Sequence, residues 1–194
     1  MNDKIRRFNL ANFETREAGG KKYIEGYFAK FNSPTELWTG YTEIISPGAF
    51  AEDISSGADV RALDNHNERH VLGRTKSNTL ELREDNIGLW GRIEINEEDS
   101  DAMNLYSRVR RGDIDQCSIG FEILERKIEY HSDETTTRTI IKVKLFEVSV
   151  VTFPAYEDTS VVARSREYEN ISTEKTKLWQ DKAKAKLKGA KNNA

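Results

Sequence analysis

A single cysteine, only three prolines and no long apolar run mark this 194-residue sequence, and each shortage excludes a class of protein. Cys117 alone forms no internal disulfide and no cysteine-based zinc cluster, as expected in a reducing compartment. No stretch of about eighteen apolar residues is available to cross a membrane as a helix. The amino terminus, MNDKIRRFNLANF, lacks the uninterrupted apolar centre of a signal peptide. The sequence therefore predicts a soluble, cytosolic protein. Repeats and low-complexity runs are missing before the lysine-rich end. With 37% hydrophobic residues, the chain is long enough for one domain with a real core and a polar extension.

Charge is present but uneven. From Glu174 to Ala194 seven lysines face only Glu174 and Asp181, so this end carries +5 and the rest of a chain of net charge -3 carries -8. A basic end of this kind binds nucleic acid or an acidic protein, or is a solvated helix or frayed terminus.

Hydrophobic periodicity predicts mostly strands. Tyr23–Asn32 is aromatic and apolar and stops at Ser33-Pro34; Leu37–Ile45 is a second strand, broken by Ser46-Pro47-Gly48 and followed by a short amphipathic stretch, Ala49–Ile54. Val60–Leu63 leads towards His66. Thr79–Arg83 and Leu89–Ile95 flank Glu84–Gly88 as a hairpin would, with Asn86 and Gly88 suited to positive backbone angles. One helix is predicted over Ser100–Arg111: Ala102, Leu105, Tyr106 and Val109 fall at helical spacing, arginines fill its last turn and Gly112 follows. Two strands, Cys117–Tyr130 and Thr139–Thr152, enclose a charged turn. Many short strands and one or two helices predict a barrel or sandwich with helical decoration.

Three separated stretches set a reactive side chain in apolar surroundings: His66 in LDNHN, Ser118 in CSIGF and Glu147 in LFEVSVVTFPA. A serine hydroxyl is a poor nucleophile until a base takes its proton and a third group orients that base, so the trio suits acyl transfer. Strand alternation points Cys117 and Ile119 to one face and Ser118 and Gly120 to the other. Gly120 should leave open space for a substrate backbone beside Ser118. Cys117 is a rival nucleophile, but the same alternation turns it towards the core. Imidazole, with an ordinary pKa of about 6.5, is the usual general base at neutral pH. His70 is an alternative to His66, and His131 lies in a charged turn. Leu145, Glu147, Ser149 and Val151 are expected to share a face opposite Phe146, Val148 and Val150. A carboxylate on such a strand needs a partner, either an imidazolium or an arginine.

In order and spacing, DNHN with the following LGR (Leu72–Arg74), GLW, a helix ending in RRGDI, CSIGF and FEVSVVTFPA resemble the prohead proteases of tailed bacteriophages over Gly26–Val162. The resemblance implies an α+β, mainly β fold related to the herpesvirus assemblins: an antiparallel barrel-like core decorated by helices over residues 1–164, followed by a Lys-rich helical or disordered tail, 165–194. It implies a serine endopeptidase with His66 as base and Ser118 as nucleophile. Assemblins run His, Ser, His, and the best match to the third member is here Glu147, with Asp64 or His131 as the alternatives. An assemblin-like oxyanion arginine has no clear counterpart; Arg164 and Arg166 lie further along, and backbone N–H groups are expected to supply part of the oxyanion hole.

The implied role is capsid maturation in the host cytoplasm, inside the procapsid. The substrates would be scaffold protein, the scaffold-like segment of the major capsid protein, or the chain itself. No cofactor, metal or membrane is called for, and self-association and contact of the tail with nucleic acid stay open. A non-catalytic scaffold or binding module with a basic tail is the rival reading. It explains the charge asymmetry but not a carboxylate inside an apolar strand.

Overall fold

Residues Gln116–Tyr130 and Thr136–Val151, strands of 15 and 16 residues, pair as the long antiparallel hairpin that organises the fold, and their paired ends, Cys117–Phe121 and Glu147–Val151, are buried on both faces. The computed structural model describes residues 5–10, 13–153 and, further along, the helical positions Thr173, Thr176, Lys177, Gln180 and Lys184. In chain order the elements are β1 (Ile5–Leu10), β2 (Glu14–Ala18), β3 (Lys21–Lys30), β4 (Thr35–Trp38), β5 (Tyr41–Ile45), α1 (Ala51–Ser55), β6 (Arg61–Asp64), β7 (Asn67–Arg74), β8 (Leu80–Glu84), β9 (Gly88–Ile95), α2 (Ser100–Arg111), β10 (Gln116–Tyr130) and β11 (Thr136–Val151). Chain contacts divide the protein into Met1–Pro154 and Ala155–Ala194. The rest of the Lys-rich tail, and the arginines 164 and 166, lie outside the described residues.

The strands form two sheets. One runs β1-β10-β11-β5-β4; the far edge of β11 is shared, its first part pairing in parallel with β5 and its last part in parallel with β6, which in turn pairs with β7. The other is wholly antiparallel, β2-β3-β9-β8. The expected antiparallel barrel is therefore corrected to a pair of open sheets, one of them mixed. Closure would require the end strands to pair with one another, and β4 and β8 each end their sheet instead.

The two sheets share one core. Ile24, Phe28, Leu89 and Ile93 from the antiparallel sheet belong to the same cluster as Cys117, Ile119, Phe121, Val148 and Val150 from the long hairpin, all at 0% exposure. Burying each of the larger side chains contributes roughly 1.5–3 kcal/mol. Helix α2 closes part of this core with the stripe read from the sequence, Ala102, Leu105, Tyr106 and Val109. The Asp99 side chain caps its first turn by accepting from the N–H groups of Asp101 and Ala102, and Gly112 ends it in the left-handed region. Among the described residues no helix is long and apolar enough to cross a membrane.

Three local expectations change. The single strand Leu37–Ile45 is a hairpin, because Gly40 at φ 77° reverses the chain between β4 and β5. Neither Asn86 nor Gly88 takes a positive φ. Gly88 is needed because a Cβ there would overlap the Ala29 carbonyl on the neighbouring strand, while Asp85 closes the turn by accepting from the N–H groups of Ile87 and Gly88. Strand β11 carries a bulge: Gly120 pairs with Glu147 but Phe121 with Leu145, leaving Phe146 as the extra residue. The bulge swaps the faces, so Leu145 joins Val148 and Val150 in the core instead of sharing a face with Glu147.

Candidate active site

Cα register places the reactive side chains. On β10 and β11, Ser118 lies opposite Ser149 and Gly120 opposite Glu147. Residues two apart on a strand share a face, so these four side-chain positions lie together, on the face away from Cys117 and Ile119. Cys117 is turned inward as expected, its Sγ 3.4 Å from the Phe28 carbonyl oxygen. Beyond β11 lies β6, whose end pairs Asp64 with Val150. Beyond β10 lies β1, with Arg6 opposite Gly120 and Phe8 opposite Ser118.

His66 reaches this face from the turn between β6 and β7. Its Nδ1 is 2.9 Å from Glu147 Oε1, a contact between groups 8% and 2% exposed. Ser149 Oγ donates to the other carboxylate oxygen at 3.0 Å, and Arg6 Nε stands 3.4 Å from Oε1. The imidazole and the arginine named as alternative partners of Glu147 are thus both present. Burial pushes the Glu147 carboxyl up; the hydrogen bond and charge of His66, with Arg6 and the Ser149 hydroxyl, outweigh it and hold the group below the ordinary value of 4.5. The other histidines sit elsewhere: His70 lies 4.0 Å from Asp64, and His131 bonds Thr137 in the long hairpin's turn.

Ser118 is fully buried, and its Oγ makes no hydrogen bond to any described residue. An unsatisfied buried hydroxyl is costly and uncommon. The open space expected over Gly120 is filled by Glu147. A Cβ on Gly120 would lie 2.6 Å from both Cγ and Oε1 of that glutamate. Glycine is therefore required so that the carboxylate can fold back over β10 and meet His66. Gly120→Ala should displace the carboxylate by about 1 Å and lower turnover on the order of a hundredfold. Measuring turnover together with the urea midpoint checks this, and an unchanged rate would show that Glu147 need not sit where it does.

The sequence missed Arg6, Ser149 and the structural part of Gly120. Ser149 was visible on the same strand face as Glu147, two residues away, whereas Arg6 sits in a polar segment without strand-like alternation. Among the described residues no group of three or more His, Cys, Asp or Glu side chains gathers as metal ligands would.

Serine, histidine and a buried carboxylate on one sheet face are the groups that serine-dependent acyl transfer uses. The chain belongs to the caudovirus prohead serine proteases, whose family model matches residues 11–174. It is 28% identical over 148 residues to the prohead protease of Enterobacteria phage HK97, covering 75% of this chain and 61% of that protein. The chain thus spans about three fifths of that relative's length. Among solved structures it is similar to the bacteriophage T4 capsid assembly protease, gp21, at a TM-score of 0.49 and 13% identity, covering 79% of this chain and 100% of that one.

Proposed function

We propose that this protein is a serine endopeptidase of capsid maturation, with Ser118 as nucleophile, His66 as general base and Glu147 as the group that orients the base. The observation that carries this reading is the 2.9 Å contact between His66 Nδ1 and Glu147 Oε1, joined on one sheet face by the buried Ser118. With Nδ1–H donated to the carboxylate, Nε2 is the nitrogen left to accept the proton of Ser118 Oγ as that oxygen attacks a peptide carbonyl. The carboxylate stabilises the imidazolium so formed, which returns the proton to the leaving amine. Water then hydrolyses the acyl-serine by the same route.

The proposed substrates are the scaffold protein or the scaffold-like segment of the major capsid protein, within the procapsid in the host cell, and the chain's own extension beyond residue 164. Removing such segments frees volume for DNA. The purified chain should be labelled by a fluorophosphonate at Ser118, located by mass mapping of the peptides, and it should cut its cognate coat or scaffold protein. Cleavage that survives complete blocking of Ser118 would sink the proposal.

A further inference from the structure

The turn that carries His66 is built in an unusual way. Asp64 and Asn67 pair across the β6–β7 hairpin, and the two residues between them, Asn65 and His66, have φ of 49° and 60°. Two successive positive φ values are what a type I′ turn requires, and its favoured sequence is Asn-Gly. Here the second position holds a histidine, so the hairpin forgoes the best turn residue to carry an imidazole.

Asn65 does more than occupy the first position. The ladder between β6 and β11 ends at Asp64 and Val150. Asn65 extends it: its backbone N–H donates to the Val150 carbonyl at 2.9 Å, and its side-chain Oδ1 accepts from the Thr152 N–H at 2.9 Å. Nδ2 donates to Asp64 Oδ1 at 2.7 Å and to Thr152 Oγ1 at 3.3 Å. One amide side chain thus bolts the turn to the end of the strand that carries Glu147 and Ser149. The β6–β11 ladder carries the hairpin as far as Asp64 and Val150. Beyond it, the bonds of Asn65 to Val150 and Thr152 set the tilt of the turn against β11, and the imidazole on the next residue moves with it.

We infer that Asn65 is a positioning residue for His66: its amide clamps the turn to Thr152 and so fixes the Nδ1 edge of the imidazole on Glu147. The inference rests on the proposed catalytic reading only for its effect on rate. A residue needed merely to form the turn would be replaced without loss by glycine, which adopts positive φ freely. A clamp would not.

The test uses the full chain and the variants Asn65→Gly and Asn65→Asp. Two quantities are read: the second-order rate of fluorophosphonate labelling at Ser118, and the ¹⁵N-detected Nδ1–H signal of His66. With the clamp lost, Asn65→Gly should keep its urea midpoint near that of the parent, label on the order of tenfold to a hundredfold more slowly, and lose the protected Nδ1–H signal. Asn65→Asp keeps an acceptor for the Thr152 N–H and should recover part of both. Labelling of Asn65→Gly at the parental rate with an intact Nδ1–H signal overturns the inference. Should Asn65→Gly unfold, Asn65→Ala, which also lacks the amide, is read instead, and parental labelling with an intact Nδ1–H signal there overturns the inference. A parent chain that is not labelled at Ser118 defeats the protease reading instead, and the Nδ1–H signal still decides whether Asn65 holds the imidazole.

Discussion

Ser118→Ala should abolish processing of the cognate coat or scaffold protein and, in the same preparation, raise the urea midpoint. The loss of turnover follows from the chemistry, since without Oγ no acyl-enzyme forms. The gain follows from burial. Ser118 is at 0% exposure and its hydroxyl makes no hydrogen bond to any described residue, so the folded state carries a desolvated polar group without compensation. Such a group costs about 1–3 kcal/mol, and alanine removes it while leaving only a small gap. A nucleophile kept at the expense of stability is the usual trade at active sites. A fully active variant would end the assignment of Ser118 as nucleophile, and a strongly destabilised one would show that the hydroxyl has a structural partner.

Glu147→Gln should lower kcat on the order of 10⁴ while keeping the strand and its side-chain volume, because the amide can no longer stabilise the imidazolium formed in the transition state. The same change alters the acid side of the stability curve. Glu147 sits below its ordinary value of 4.5 in the folded protein, so its ionised form stabilises the fold above that pH and the contribution disappears as pH falls through the lowered value. The glutamine variant lacks this group, and its stability should depend less on pH below about 4.5 than that of the parent. If Glu147 served only as an ion-pair partner of Arg6, stability would fall and the turnover of folded molecules would be spared. Measuring kcat and acid unfolding on one preparation separates the cases, and near-parental turnover would return the third catalytic place to Asp64 or His131.

Much of the site could be read from residue types and alternation, because a carboxylate inside an apolar strand demands a partner wherever the strand lies. Helix α2 was equally legible, since its stripe, its capping aspartate and its terminal glycine are all local. What escaped was non-local or cancelled by composition. The bulge at Phe146 is silent because Leu145 and Phe146 are both apolar, so a slip of one residue leaves the pattern looking continuous. Strand β1 was passed over because its adjacent arginines suggest surface. In the fold Arg6 stands beside Glu147, while Arg7 pairs with Glu43, which is buried together with Arg138. Those carboxylates lie 141 and 36 positions away in sequence, beyond the reach of any window. Strand content left barrel or sandwich open and the family resemblance pointed to a barrel-like core, but content does not say whether end strands meet.

The parallel pairing of β6 with the end of β11 has a consequence in time. His66 and Glu147 are 81 residues apart, and the strand holding the glutamate is the last one described in the chain. Parallel contacts of such long range form slowly and only after the intervening segments have found their places. On a ribosome, every other described strand and α2 emerge before β11 can supply the carboxylate. A chain made only as far as β10 therefore holds Ser118 and His66 without the carboxylate that meets the imidazole in the complete fold. On the proposed reading, the oriented base is the last part of the site to form.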